Sequence, residues 1–130
     1  MNYLKRLAMP FLAALAVISV SAPANAAPVS VTRYISNETA IPIGVSRYVT
    51  GGGTRPYDAI LGAHQRTDGA LGWETAKSWY LGPGYCGVTE KYSRGKWSFA
   101  RSDRGPIVIA VGDLLGESVD RWAVTDIHQC

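Results

Sequence analysis

The sequence predicts an all-β fold: a small antiparallel β-sandwich or barrel with one disulfide, following a cleaved signal peptide. Three observations support this. Apolar and polar residues alternate in short runs rich in β-branched and aromatic side chains, beginning with Val29, Val31 and Ile35. Turn residues separate the runs at intervals of about ten residues, a spacing typical of antiparallel all-β domains. The two cysteines, Cys86 and Cys130, both follow the export signal.

The N-terminal segment has the pattern of an export signal. Lys5 and Arg6 precede an apolar run over residues 7–20, and Ala24-Asn25-Ala26 supplies the small-x-small pattern that signal peptidase recognises. The apolar run is shorter than the ~20 residues that span a bilayer. We therefore expect a signal peptide over residues 1–26 and a periplasmic or secreted protein without stable membrane insertion.

The remaining residues, 27–130, are enough for a single exported β domain. The formal net charge of the whole chain is +3; without Lys5 and Arg6, eleven basic residues face ten acidic ones, a net charge of +1. Because nucleic-acid binding depends on clustered Lys and Arg, we expect no nucleic-acid partner. The densest basic stretch, Lys91–Trp97, contains a turn signal and is interpreted as the tip of a hairpin.

The cysteines predict a disulfide between Cys86 and Cys130, because an exported chain with an even cysteine count favours pairing. Two free thiols, or an intermolecular bridge through Cys130, are the alternatives. We expect no metal site, since His64 and His128 are the only histidines and neither Cys-x-x-Cys nor His-x-x-x-His spacing occurs. No cofactor is implied.

The first two predicted strands cover residues 29–35 and 41–49, and Pro42 places the second at the start or edge of a sheet. Between them, Ser36-Asn37-Glu38-Thr39 favours a turn, which forms either a hairpin or a corner that crosses between sheets. Asn37-Glu38-Thr39 also matches the N-glycosylation pattern, but the interpretation as a turn requires no sugar.

The middle of the chain is the least regular part. Gly51-Gly52-Gly53 predicts a loop and lacks the flanking residues of a phosphate-binding motif. Residues 55–72 contain one short strand candidate, residues 56–61, and glycines that mark turns. A long irregular stretch of this kind is where a binding loop could lie.

The second half of the chain predicts strands separated by glycine-containing turns, over residues 76–81, 85–92, 96–101, 106–111 and 122–127. Residues 82–84 form a turn, and residues 93–95 and 102–105 are expected to close hairpins. Residues 113–120 are the one helix candidate, weakened by Gly116.

The segment from Trp73 to Cys86 is rich in tryptophan and ends in Leu81, a Gly-Pro-Gly turn and Cys86. With Asn37-Glu38-Thr39 and Ile43-Gly44-Val45, it resembles a family of small exported bacterial β-proteins known only as a domain of unknown function. The matching motifs span about half of the exported part, and the chain departs from the family in its glycine-rich insertion and few cysteines. The resemblance implies a periplasmic β domain without a known catalytic role and transfers no active site.

Aromatic residues supply the candidate binding site, because flat amphipathic rings can stack on sugars or anchor a protein partner. Four rings that alternate along strands are expected to fill the core: Trp79, Trp97, Phe99 and Trp122. Others adjoin the irregular region and are expected to form an exposed partner-binding patch, namely Trp73, Tyr57 and Tyr80, together with Arg55.

These observations favour a non-enzymatic interaction module that binds a protein partner, as an inhibitor or immunity-type factor, through residues 55–73. A glycan or cell-wall binding domain that uses the same aromatic patch is the alternative. A small hydrolase around His64, with Asp58 or Asp68, is a second alternative, but no Gly-x-Ser-x-Gly motif supports it. No spacing selects a catalytic carboxylate pair from Glu74, Glu90, Asp103 and Glu117.

Overall fold

The computed structural model describes residues 31–47, 55–114 and 117–130. The predicted signal segment and the loop predicted at Gly51-Gly52-Gly53 lie outside these residues. The described chain forms eight strands and one short helix, in the order β1 (Tyr34–Asn37), β2 (Ile43–Ser46), β3 (Ala59–Leu61), α1 (Thr67–Leu71), β4 (Ser78–Leu81), β5 (Tyr85–Ser93), β6 (Lys96–Arg104), β7 (Ile107–Ala110) and β8 (Arg121–Gln129). Within the described ranges, no helix is long and apolar enough to cross a membrane.

The strands form two four-stranded sheets. Sheet A has the strand order β1-β8-β5-β6, and sheet B has the order β3-β2-β4-β7. All neighbouring strands run antiparallel except β1 and β8, which run parallel from the pair Tyr34 and Arg121 to the pair Asn37 and Val124. The predicted all-β, sandwich-like fold is confirmed.

The core contains side chains from both sheets around two tryptophans. Trp79 and Trp122 are each 1% exposed, as the sequence predicts. A buried indole needs a partner for its N–H group. The Nε1 of Trp79 donates to Thr89 Oγ1 of the facing sheet at 3.1 Å, and that of Trp122 donates to the Val119 carbonyl at 3.2 Å. Both rings therefore enter the core without an unsatisfied polar group.

The prediction that Trp97 and Phe99 fill the core is wrong, because they are 41% and 62% exposed. The core residue Trp122 pairs with Lys91, and the next residue of β5, Tyr92, pairs with Trp97. Successive residues of a strand point to opposite faces, so Trp97 lies on the outer face of sheet A. Alternation shows that residues share a face, but it does not say which face is inside.

The connection between β1 and β2 is the sheet-crossing corner rather than the hairpin, since the two strands belong to different sheets. Asn37 holds this corner with a fully buried side chain. Its Nδ2 donates to the carbonyls of Ile41 at 2.9 Å and Gly62 at 3.1 Å, and its Oδ1 accepts from the Thr39 N–H at 3.0 Å. A sugar on this amide is incompatible with the folded chain.

One predicted hairpin forms and the other does not. Arg94 and Gly95 join β5 to β6 with φ values of 53° and 78°, the positive angles of a two-residue hairpin turn. The hairpin expected at residues 102–105 is wrong, because β6 continues to Arg104 and the chain then passes to β7 in sheet B. Gly105 is required at this crossing, since a Cβ there would lie 1.9 Å from the Gly82 carbonyl oxygen.

The predicted helix over residues 113–120 is also wrong in its described part. Leu114 and Glu117 instead form an isolated antiparallel bridge. Hydrogen bonds from Ser93 and Lys91 reach the Glu117 carboxylate and lower its pKa, so this loop is fastened to the β5–β6 hairpin. Helix α1 forms elsewhere, as a single turn that ends at Gly72 with φ 65°.

The predicted disulfide is confirmed. Cys86 and Cys130 are joined, with their Cα atoms 5.7 Å apart. The Cys130 N–H also donates to the Gly84 carbonyl at 3.1 Å. The end of β8 is thereby attached to the beginning of β5.

Candidate functional site

Tyr57 and Tyr80 meet on the outer face of sheet B, with ring centroids 5.8 Å apart and both side chains partly exposed. The buried pair Val45 and Trp79 faces the core, so the adjoining pair, Gly44 and Tyr80, faces outward. A Cβ at Gly44 would lie 2.4 Å from the Tyr57 ring. The glycine therefore lets Tyr57 lie directly against β2, beside Tyr80.

The two tyrosines line a groove of about 240 Å³, which we call the tyrosine groove. Its wall is aromatic, aliphatic and backbone, without a charged or amide side chain, and consists of Ile41, Pro42, Ile43, Gly44, Tyr57, Ile60, Tyr80, Leu81, Gly82, Tyr85 and Ile127. Ile60, on the edge strand β3, is 53% exposed at its rim. The phenolic hydroxyls and main-chain groups are the polar groups that such a wall offers to a ligand.

Arg55 is exposed and precedes Tyr57 by two residues, outside the groove wall. Among the described residues it forms no ion pair or hydrogen bond. It therefore adds a cation close in the chain to Tyr57, but no part of the apolar surface.

The expectation that Trp73 is displayed with these residues is wrong, because Trp73 is 6% exposed and belongs to the hydrophobic core. The backbone N–H of Trp73 donates to the Thr67 carbonyl at 3.3 Å, so the residue directly follows the turn that ends α1. The guanidinium of Arg47 lies 5.0 Å from the centre of its ring. The sequence does not predict helix α1, and no local pattern around Trp73 indicates that its side chain belongs to the core.

The residues considered for a hydrolase do not assemble. His64 is exposed and has a φ of 57°. The Asp58 carboxylate accepts the Arg47 backbone N–H at 3.0 Å, and the Asp68 carboxylate is ion-paired with Arg66 at 2.7 Å. Among the described residues, neither carboxylate is hydrogen-bonded to the His64 imidazole. Catalytic activation of a nucleophile requires such an oriented base.

Two of the carboxylates considered for glycoside hydrolysis are held by basic side chains. Asp103 forms two hydrogen bonds with the guanidinium of Arg101, at 2.7 and 2.5 Å, and these raise the pKa of Arg101. Glu117 is held by Lys91 at 3.2 Å. In the part of the chain that the structure describes, no group of three or more His, Cys, Asp or Glu side chains could hold a metal ion.

A second surface, missed from the sequence, crosses the outer face of sheet A. We call it the arginine–tyrosine row, and it contains Trp97, Tyr92, Arg121, Tyr34 and Arg66. Trp97 meets Tyr92 edge to face at 5.4 Å, and the Arg121 guanidinium lies 4.8 Å from the centre of Tyr92. At the other end, the Arg66 guanidinium lies 3.8 Å from the centre of Tyr34.

The row ends in a polar hollow of about 300 Å³ lined by Val31, Tyr34, Arg66, Asp120 and Arg121. Arg66 is neutralised there by Asp68. Burial by itself raises the pKa of the Asp68 carboxyl, but the hydrogen bond and the charge of Arg66 outweigh it and lower that pKa. The same hydrogen bond raises the pKa of Arg66. Arg121 is exposed and forms no ion pair within the described residues.

A signal for this row was present in the sequence. A two-residue turn at Arg94-Gly95 sets the register of β5 and β6 and places Tyr92 opposite Trp97. The pairing of β8 with β5, which brings Arg121 to Tyr92, is a long-range contact that no local pattern indicates.

The chain matches no protein-family model, and comparisons with curated proteins and with solved structures give no significant match.

Proposed function

We propose that this protein is a non-enzymatic, exported interaction module that binds a protein partner through the tyrosine groove, in an inhibitor or immunity-type role. The observation that carries the proposal is the pairing of Tyr57 and Tyr80 in an open groove whose wall has no charged side chain. Tyrosines in such positions are typical anchors of protein interfaces, because a large apolar ring contributes contact area and its hydroxyl stays hydrogen-bonded.

The size and chemistry of the tyrosine groove favour a protein side chain as its occupant. Its 240 Å³ is below the range of about 300–1,000 Å³ that is usual for small-molecule sites. One large apolar side chain of a partner is the better match. A sugar is disfavoured in this groove, since its hydroxyl groups would meet no carboxylate, amide or guanidinium group.

The surroundings specify the partner further. Arg55 lies close in sequence to Tyr57 and has no partner among the described residues, so an acidic residue beside the partner's apolar anchor would complement it. Strand β3 is at the edge of sheet B. An extended segment of the partner can therefore pair with β3 while one of the partner's side chains enters the groove. The expected partner is a protein with an exposed, extended segment carrying an apolar anchor and a neighbouring Asp or Glu.

The first experiment identifies the partner at this site. A photo-reactive amino acid in place of Ile60, at the rim, is used to cross-link the exported protein in cells, and the linked protein is identified by mass spectrometry. The same amino acid in place of Trp97, on the other sheet, is the control. We expect a discrete partner from the groove position and not from the control position. Equal cross-linking from both positions contradicts the proposal.

The second experiment measures the Kd between the purified partner and the purified exported domain. We expect Tyr57→Ala and Ile60→Glu each to weaken binding about tenfold or more, because an anchor pocket concentrates binding energy in few residues. Arg55→Glu should weaken binding and reverse its salt dependence, while Trp97→Ala should bind like the unmodified protein. A partner that binds Tyr57→Ala and Ile60→Glu with unchanged affinity overturns the proposal.

A further inference from the structure

The outer face of sheet A displays two large rings that no described residue covers. Trp97 and Phe99 are 41% and 62% exposed and stand two residues apart on β6, at the edge of the sheet. Their cross-strand partners are Tyr92 and Glu90. Neighbouring exposed rings of this size, bordered by polar residues, indicate a binding surface rather than scattered surface apolar residues.

These rings are continuous with the polar hollow. Arg121 stacks on Tyr92, the neighbour of Trp97, and is also part of the wall of the hollow. The row runs across all four strands of sheet A, a distance of about 14 Å at the usual strand spacing. A ligand that follows it meets flat aromatic faces at one end and directional polar groups at the other.

The charges along the row decide which ligand fits. Arg66 is neutralised by Asp68, Asp120 stands in the hollow with Arg121, and Glu90 lies beside Phe99. A polyanion would meet these carboxylates and gain little from counterion release, so nucleic acids and acidic polysaccharides are disfavoured. Guanidinium and carboxylate groups side by side supply both donors and acceptors, the combination that hydroxyl groups require.

We propose that the arginine–tyrosine row, together with Phe99 beside it on β6, binds a neutral oligosaccharide. The apolar faces of its sugar rings stack on Trp97 and Phe99, and its hydroxyl groups hydrogen-bond to Arg121 and Asp120 in the hollow. This site is separate from the tyrosine groove, so the oligosaccharide proposal can be tested independently of the proposed protein partner.

A second copy of the chain is the competing occupant, because β6 is a nine-residue edge strand. Two copies of β6 paired antiparallel along their full length would place Lys96 opposite Arg104, and like charges directly opposite each other are destabilising. Such a pairing would also give the polar hollow no partner. The charge pattern therefore favours the oligosaccharide.

The test is isothermal titration calorimetry on the purified, disulfide-bonded exported domain. The neutral probes are cellohexaose, chitohexaose and xylohexaose, and hexagalacturonate is the acidic comparison. We expect saturable binding of at least one neutral hexasaccharide. Trp97→Ala and Arg121→Ala should each weaken it about tenfold, because each removes a stacking or hydrogen-bonding group from an exposed position. The matched control Leu114→Ser, an exposed apolar residue that lies outside both the tyrosine groove and the row, should bind normally.

Three results would overturn the proposal: no binding of any neutral hexasaccharide, tighter binding of hexagalacturonate than of all three, or unchanged binding by Trp97→Ala. A fourth such result would come from light scattering after size-exclusion chromatography, which measures the oligomeric state. A dimer that Trp97→Ala dissociates would assign these rings to an interface between copies of the chain. Because both test residues are exposed, their variants should fold, and circular dichroism checks this directly.

Discussion

Asn37 shows how one side chain can define a connection between sheets. Its amide donates to the carbonyl of Ile41 in the corner and to that of Gly62 after β3, and it is fully buried. The motif Asn-Glu-Thr is enough to predict a turn, because Asn and Thr side chains bond to nearby backbone. It does not predict the burial, since the Gly62 carbonyl arrives from a segment 25 residues away.

We expect Asn37→Ala to lower the free energy of unfolding by about 2–4 kcal/mol, because it leaves buried main-chain groups without partners. Urea denaturation of the purified domain measures this change. Glu38→Ala, at the exposed neighbouring position, is the control and should change stability far less. Equal stability of the Asn37→Ala and Glu38→Ala variants would show that the buried amide does not hold the corner.

The aromatic residues mark the limit of prediction at the scale of single residues. Trp73 was expected outside and lies inside, whereas Trp97 was expected inside and lies outside. Hydrophobicity is the same in both cases and does not distinguish them. The outcome depends on long-range packing, which buries Trp73 in the core, and on the β5–β6 register, which directs Trp97 outward.

At the scale of elements, most strands could be predicted because each follows from local alternation and local turns. The β5–β6 hairpin is the clearest case, with Arg94 and Gly95 in the positive-φ conformation that its short turn requires. What local patterns do not indicate is the sheet to which a strand belongs. The apolar run of β7 is compatible with pairing to β6, but β7 pairs with β4 in the other sheet.

Two glycines provide a matched test of the turn. Gly95 has a φ of 78°, so we expect Gly95→Ala to destabilise the domain by about 1 kcal/mol. Gly69 is exposed within α1 and has open space around its Cα, so Gly69→Ala should stabilise the domain by about 0.5–1 kcal/mol. The urea midpoint of each variant measures the direction of its change in stability. If both variants shift the midpoint in the same direction, the explanation from φ is wrong.

At the scale of the whole molecule, the disulfide joins two elements that are distant in sequence. Cys86 and Cys130 are 44 residues apart, and their bond spans β5 to β8. The pairing could be predicted because the chain has only two cysteines, both of which follow the predicted export signal. The parallel contact of β1 with β8, which completes sheet A, could not, since it joins the two ends of the described chain.

Replacing both cysteines with serine should lower the free energy of unfolding by about 4 kcal/mol, the entropic contribution expected for a loop of this length. This is a large part of the 5–15 kcal/mol typical of a domain. Denaturation with and without reductant measures it: the unmodified protein should lose stability on reduction, and the double variant should not respond. An unmodified protein that is insensitive to reductant would contradict the expectation.

The attachment of Cys130 also determines how the protein should be handled in binding assays. Its neighbour Gln129 pairs with Tyr85, and Tyr85 and Ile127 belong to the wall of the tyrosine groove. An affinity tag or sensor-chip linker fused after Cys130 would therefore be attached next to the tyrosine groove and would block access of a bulky partner to that groove. Immobilisation through the amino-terminal side of the β domain avoids joining the linker beside Tyr85.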